Sequence, residues 1–203
     1  MPEPDEAKVS SPVLRGVGSR EAPLLPGADE ITEKEMTEAD KHEIIKFCLE
    51  MNAIEAKFID IGTITISNWV RYKCQYGCEG YGKTYCCPPH SPTPEETRKI
   101  ISDYTVGLLI HFDGDVSVTK AIVEIEKRIF LNNFYKVIGF GAGPCSLCKK
   151  CSENGCSFPE KARPSMEACG IDVYKTARDN GFPVNVLRTK DDPENCYGLI
   201  LIE

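Results

Sequence analysis

Cys145-x2-Cys148-x2-Cys151-x4-Cys156 is the run of residues with the plainest chemistry in this chain. Gaps of two residues turn successive thiolates into one concavity, as a cubane requires of a single short loop. Bacterial ferredoxins bind iron–sulfur clusters with a C-x2-C-x2-C run followed by a cysteine close to a proline. Here the last gap is four residues and Pro159 follows Cys156 by three, so the likeness is to the triplet alone. Zinc sites tend to draw their ligands as two separated pairs, which fits three evenly spaced cysteines less well. The expectation is therefore an iron–sulfur cluster, with zinc as the alternative.

A second group precedes it: Cys74-x3-Cys78-x7-Cys86-Cys87-Pro88-Pro89. Gly77, Gly80 and Gly82 keep this loop compliant enough to wrap a cluster. Adjacent side chains diverge in most backbone conformations, so one of Cys86 and Cys87 is expected to ligate. Cys87 is favoured, because the two prolines after it stiffen that side and remove amide donors. With Cys74 and Cys78 this makes three ligands. The fourth is open between Cys86, Cys169 and a non-protein ligand. Cys169 lies on an apolar stripe with Met166, Val173 and Ala177, where a buried structural thiol and a ligand are both reasonable. An iron lacking a fourth cysteine would be open to substrate or solvent. Cys48 and Cys196 read as core or half-buried thiols, and His90 as a loop residue near the site.

A further feature is Lys161-Ala-Arg163-Pro-Ser165, just before an expected helix start. Free amides and a positive dipole end attract anions there, so Lys161, Arg163 and Ser165 form a candidate phosphate or carboxylate site. Ordinary capping by Ser165 explains the same pattern.

These residues need elements to position them. Residues 1–35 are rich in Pro, Gly, Ser and Glu and read as a flexible tail. Residues 36–203 read as one iron–sulfur-binding domain. Thr37-Glu-Ala-Asp40 opens a helix carrying Ile44, Ile45, Cys48, Leu49 and Met51. A phase slip between Ile59, Ile61 and Ile64, Ile66 at Gly62 suggests a bulge or turn between two strands, the second running through Trp69 and Val70 to Cys74. Thr93-Pro94-Glu95-Glu96 starts a helix that ends near Asp103. Val106–Phe112 reads as a buried strand. Val118, Ala121, Ile122, Ile125 and Ile129 form a helical face, with Glu124 and Arg128 as an outward pair. Val137–Phe140 reads as another strand. A last helix is expected from the Ser165 cap to Gly181, then strands at Val184–Leu187 and Tyr197–Ile202. The expected fold is α/β or α+β: a small mixed sheet with flanking helices and cysteine-rich loops at one end.

Composition limits the function. A chain of 203 residues with 41% apolar content can build a core without help from a metal. A net charge of −7 argues against coating nucleic acid or an anionic membrane. No apolar run reaches the roughly 20 residues of a membrane span. Eleven cysteines, an odd number in tight clusters with no visible secretory signal, argue for metal binding in the cytoplasm over a disulfide scaffold.

With these residues in view, the chain resembles a family of cysteine-rich, predicted metal-binding proteins of anaerobic bacteria and archaea. The likeness spans about residues 55–203. It rests on Trp69-Val-Arg-Tyr-Lys-Cys74, on Cys87-Pro-Pro-His-Ser-Pro-Thr-Pro-Glu-Glu-Thr-Arg98 and on Gly141-Ala-Gly-Pro-Cys-Ser-Leu-Cys148. It continues through Pro159-Glu-Lys-Ala-Arg-Pro-Ser-Met-Glu-Ala-Cys-Gly-Ile-Asp172. The resemblance implies ligands at Cys74, Cys78, Cys87, Cys145, Cys148, Cys151, Cys156 and Cys169, and leaves out Cys86. The expected function is that of an electron-transfer protein or redox subunit with two [4Fe-4S] clusters and a redox partner protein. The alternatives are an enzyme with one open cluster acting on a small anionic substrate, and a zinc-stabilised binding module. The C-x3-C-x2-C signature of radical S-adenosylmethionine enzymes is absent from the sequence.

Overall fold

A computed structural model describes residues 34–189 and 192–203; nearly all of the tail expected at 1–35 lies outside the described residues. The first helix, α1 (Glu38–Glu50), starts where its cap dictates. The Thr37 hydroxyl accepts from the Asp40 amide at 3.2 Å, and the Asp40 carboxylate accepts from the Thr37 amide at 3.0 Å. That reciprocal pair satisfies two backbone donors the helix start would otherwise leave open. Ile44 and Cys48 then face the sheet from the inner side of the helix.

Strand β1 (Ala53–Asp60) ends in a tight turn, Ile61–Thr63, closed by the Asp60 carboxylate on the Gly62 amide at 2.6 Å. This turn is the phase slip read from the sequence. The second strand expected beyond it does not form. Only Ile66 bridges to Ile171, and helix α2 (Asn68–Gly77) begins immediately. Trp69, Val70, Lys73 and Cys74 fit a helical repeat as well as an extended one. The backbone donors decide between them: Ser67 and Asp172 exchange bonds with Gly170 and Thr65, leaving no ladder to extend.

Helix α3 (Pro94–Ser102) has the expected capping box, Thr93 with Glu96, and the expected proline at its start. Strand β2 (Val106–Asp113) is buried from Gly107 to Phe112. Helix α4 (Val118–Leu131) buries the five apolar residues predicted for it. Its Arg128 pairs at 3.2 Å with Glu43 of α1 instead of the expected Glu124, because the two helices lie side by side. Strand β3 (Val137–Phe140), helix α5 (Val173–Asp179) and strand β4 (Asn195–Ile202) complete the set.

Two expectations near the C-terminus are corrected. The last helix is broken: Ser165 caps a short 3-10 turn (Glu167–Cys169), and Gly170 then takes φ +82°. A Cβ on Gly170 would come within 2.7 Å of the Pro94 ring, so neither the conformation nor the space admits a side chain. Helix α5 starts afresh at the Asp172 cap, and Gly181 follows its end as expected. Val184–Leu187 forms no strand; Val186 is exposed, and Pro183 instead receives a hydrogen bond from the Tyr197 hydroxyl.

The domain is α+β. Its sheet runs β1-β2-β4-β3, and every neighbouring pair is antiparallel. The expected mixed sheet resolves this way because β4 inserts between β2 and β3, which run in the same direction across the α4 connection. One face of the sheet, with Leu108, Ile110, Phe112, Ile200 and Ile202, packs on α1 and α4. The other, with Leu109, Leu199 and Leu201, packs on Met166, Cys169, Ile171 and Ala177. Each fully buried side chain of this size contributes about 1.5–3 kcal/mol. Two apolar layers on a four-stranded sheet leave the strand ends as the place for a site.

Candidate metal centre

The cysteine-bearing segments meet at one end of the sheet, where β2 and β3 finish and β4 begins; there Asp113 pairs with Asn195, and Phe140 with Leu199. Helix α2 brings Cys74, its exit brings Cys78, and the loop before α3 brings Cys86 and Cys87. The Cys145–Cys156 segment is an excursion from the end of β3 whose two ends are fastened together. The Gly141 amide donates to the Pro164 carbonyl at 2.9 Å and the Met166 amide to the Gly141 carbonyl at 3.1 Å. Arg163 grips Glu126 of α4 at the same base. The Tyr85 hydroxyl, bonded to the Ser152 carbonyl at 2.9 Å, ties the two cysteine loops to each other.

Cys74, Cys78 and Cys87 line a cavity of about 350 Å³. Its walls include Trp69, Tyr81, Tyr174 and Tyr197, with Glu167 and Cys196 also reaching it. Gly80 forms a cradle here: a Cβ on it would lie 3.3 Å from the Cys87 sulfur and 3.5 Å from the Cys78 sulfur. Both thiols therefore flank one point that only glycine leaves free. Burial pushes the Cys74 thiol up, and the charges of Glu167, Cys78 and Cys87 push it further. Glu167 is itself raised by burial, against the hydrogen bond from Ser165.

Cys169 lies behind this cavity and does not line it. It is wholly enclosed in the core with Met166, Ile171 and Leu199, and burial pushes its thiol up to about 12. A hydrogen bond with Thr97 and the nearby Arg71 oppose that shift, while Glu167 and Cys74 add to it.

Cys145, Cys148 and Cys151 line a second recess with Gly80, Thr84, Lys83, Lys149 and Lys150. Cys156 follows on the same loop, and its charge helps to raise the Cys148 thiol. Burial and then Cys151 push the Cys148 thiol up. The Thr84 hydroxyl is buried at this recess with no hydrogen-bond partner. A bound cation would oppose the shift at Cys148, because it favours the thiolate form of a neighbouring thiol. The soft thiol donor set fits an iron–sulfur or zinc centre, and Gly80 leaves room between Cys78 and Cys87. Among the described residues, no three His, Cys, Asp or Glu side chains converge as the shell of a single metal ion.

Cys86, one candidate for the fourth ligand of the first group, is buried and lines neither recess. Burial, and after it the neighbouring Cys145 and Cys156, push its thiol up to about 12. Of the adjacent pair, Cys87 lines the first cavity and Cys86 does not. Glu167 and Thr84 carry no signal in the sequence, since neither belongs to a cysteine pattern. Of the candidate anion site, Arg163 is committed to Glu126 and Ser165 is buried as a cap on the Ala168 amide at 3.1 Å. Lys161 stands exposed at the rim of a neighbouring recess. His90 is exposed and rests against the Tyr85 ring.

An α+β domain with two thiol groups at one end of its sheet has the donor set of a metal-binding protein. Residues 57–202 match the family model described as predicted metal-binding protein (DUF2284), and the chain belongs to that family. No curated protein and no solved structure matches the chain. No helix among the described residues is long and apolar enough to cross a membrane.

Proposed function

We propose that this chain is an iron–sulfur protein with two [4Fe-4S] sites, serving as an electron-transfer protein or redox subunit to a partner protein. The observation that carries the reading is the collection of thiols from separate segments into two adjacent groups at one end of the sheet. Cys74, Cys78 and Cys87 supply three corners of the first site. Cys169, a buried thiol on which Cys74 acts, is its proposed fourth protein ligand. Cys145, Cys148, Cys151 and Cys156 supply the second. Such clusters, when bound, exchange single electrons at potentials tuned by hydrogen bonds to sulfur and by solvent exposure. The chain's own residues support this: aromatic walls shield the first site, and Lys83, Lys149 and Lys150 place positive charge beside the second.

Anaerobic purification with iron and sulfide analysis, visible absorption and EPR spectroscopy tests the proposal. About eight irons and eight sulfides per chain are expected. A colourless protein loaded with zinc would overturn it in favour of a zinc-stabilised module.

A second reading is favoured by the cavity itself. Glu167, Tyr81, Tyr174 and Tyr197 surround open space against the first thiol group. If Cys169 remains a core thiol, one iron faces that space and the protein is an enzyme for a small molecule. Cys169→Ala separates the two readings: loss of the first site's EPR signal supports the four-cysteine carrier, and an unchanged signal supports the open site.

A further inference from the structure

Helix α2 has a second face besides the one that carries Cys74. Val70 is buried and Cys74 lines the first cavity, so that side of the helix turns inward. Trp69, Tyr72, Lys73 and Tyr76 recur at spacings of three and four residues and share the outer side. Trp69 is 46% exposed, Tyr72 62% and Tyr76 77%. The stripe is ordered without being covered by any of the described residues. The Tyr72 and Tyr76 rings stack with centroids 6.0 Å apart, and the Lys73 ammonium sits 4.9 Å from the Trp69 ring centroid.

We infer that this face is the docking surface for an acidic iron–sulfur electron carrier of the ferredoxin type. The inference rests on the electron-transfer reading above and gives it a surface and a partner chemistry.

Three observations carry it. The first is composition. Apolar residues exposed singly are ordinary on a protein surface, whereas aromatics gathered in a stripe mark a contact site. Trp and Tyr dominate protein–protein contacts, and rings already held in place lose little freedom on binding. The second is charge. The chain has 24 Lys and Arg against 31 Asp and Glu, yet its two cysteine segments, residues 68–91 and 141–163, have seven against three. Arg71 is turned to the Pro92 carbonyl at 2.9 Å and Arg163 to Glu126, while Lys73, Lys83, Lys149 and Lys150 stand exposed. An acidic partner is attracted to this end and repelled by the rest of the molecule, which steers both encounter and orientation. The third is position. Trp69 and Lys73 belong to the stripe and also line the cavity with Cys74, Cys78 and Cys87. A carrier seated there stands against the helix that holds Cys74. The ten residues of α2 make a face about 15 Å long, which suits the small contacts, under about 1,200 Å² in total, of transient electron-transfer pairs. In the docked pair the carrier's reduced cluster gives up one electron and one cluster of this chain accepts it; no proton or group moves.

Trp69 is the only tryptophan of the chain, so its emission reports occupation of the stripe directly. The test titrates the full chain, purified anaerobically, with a tryptophan-free acidic bacterial-type ferredoxin at low and high salt. A saturable change in emission at low salt, lost at high salt, is expected. Tyr72 and Tyr76 lie outside the first cavity. Changing both, Tyr72→Ser with Tyr76→Ser, is expected to weaken binding by about tenfold or more. Reduction by the reduced ferredoxin should slow with it, and reduction by dithionite should not. Lys73→Glu is expected to weaken binding at low salt and to flatten the salt dependence. Tyr135→Ser, an exposed ring at the other end of β3, should bind as wild type does. An emission that ferredoxin leaves unchanged in the wild type would overturn the inference, as would wild-type affinity in the double variant and in Lys73→Glu. Equal slowing with ferredoxin and dithionite would overturn it too. So would a dimer in sedimentation that the double variant dissolves, since the face would then belong to a second copy. A wild-type chain without iron and sulfide overturns the cluster reading, while the emission titration still decides the docking surface.

Discussion

Arg163 and Glu126 form a two-point ion pair, the guanidinium Nε donating to one carboxylate oxygen at 2.8 Å and a terminal nitrogen to the other at 2.6 Å. The carboxylate also accepts from the Gly139 amide at 2.8 Å, so one side chain joins α4, β3 and the base of the second cysteine loop. Both partners are largely shielded, at 17% and 13% side-chain exposure. A planar fork on a carboxylate resists rotation as well as separation, which suits the anchor of an otherwise irregular loop.

Arg163→Ala leaves Glu126 buried without its counter-charge and is expected to cost roughly 3 kcal/mol. Arg163→Lys restores the charge but not the fork, and should recover part of the loss. Denaturant midpoints of the three proteins measure this; equal midpoints would mean that the pair contributes nothing.

Gly170 carries a turn that no other residue fits. Gly170→Ala combines the left-handed penalty with overpacking against Pro94, a loss of roughly 2–3 kcal/mol. The turn also sets Glu167 and Cys169, so the change is expected to disturb the first site's spectrum more than the second's. An equal disturbance of both would argue for global loosening.

The cap of α1 predicts a pH dependence. Hydrogen bonds from Lys34 and Thr37 hold the Asp40 carboxyl down at about 2, below the ordinary value near 3.8. A carboxyl depressed in the folded state stabilises fully above its unfolded value and loses that contribution as pH falls through the folded one. The stability gap between wild type and Asp40→Ala is therefore expected to be constant above about pH 5 and to close between about pH 4 and pH 2. A gap that widens on acidification would contradict the pairing with Lys34.

Metal removal should loosen the molecule unevenly. Between Gly141 and Pro164 the chain forms no helix or extended strand, whereas β2 is paired on both sides. Chelation is expected to speed amide exchange across 142–163 while leaving Leu108–Phe112 protected. Uniform acceleration would show that metal holds the whole fold together, not only the loop.

Local chemistry made much of this protein readable in advance. Thr37 with Asp40 and Thr93 with Glu96 mark helix starts because a capping box is complete within four residues. The apolar run of β2 and the stripe on α4 mark buried elements because each period belongs to one backbone geometry. The spacing of the cysteines marks two thiol groups for a similar reason: neighbours along a short loop are neighbours in space.

What tertiary structure decided has a different origin. Trp69 to Cys74 is helical because the donors of Ser67 and Asp172 are used by partners about a hundred residues away. The last helix breaks because Pro94 occupies the space beside Gly170. Cys78 and Cys87 flank one point because Gly80, between them in the chain, leaves that space free. Composition and local spacing thus determined that thiols would gather. Which thiols gather with which depended on contacts between distant segments, and those exist only once the sheet has brought its strand ends together.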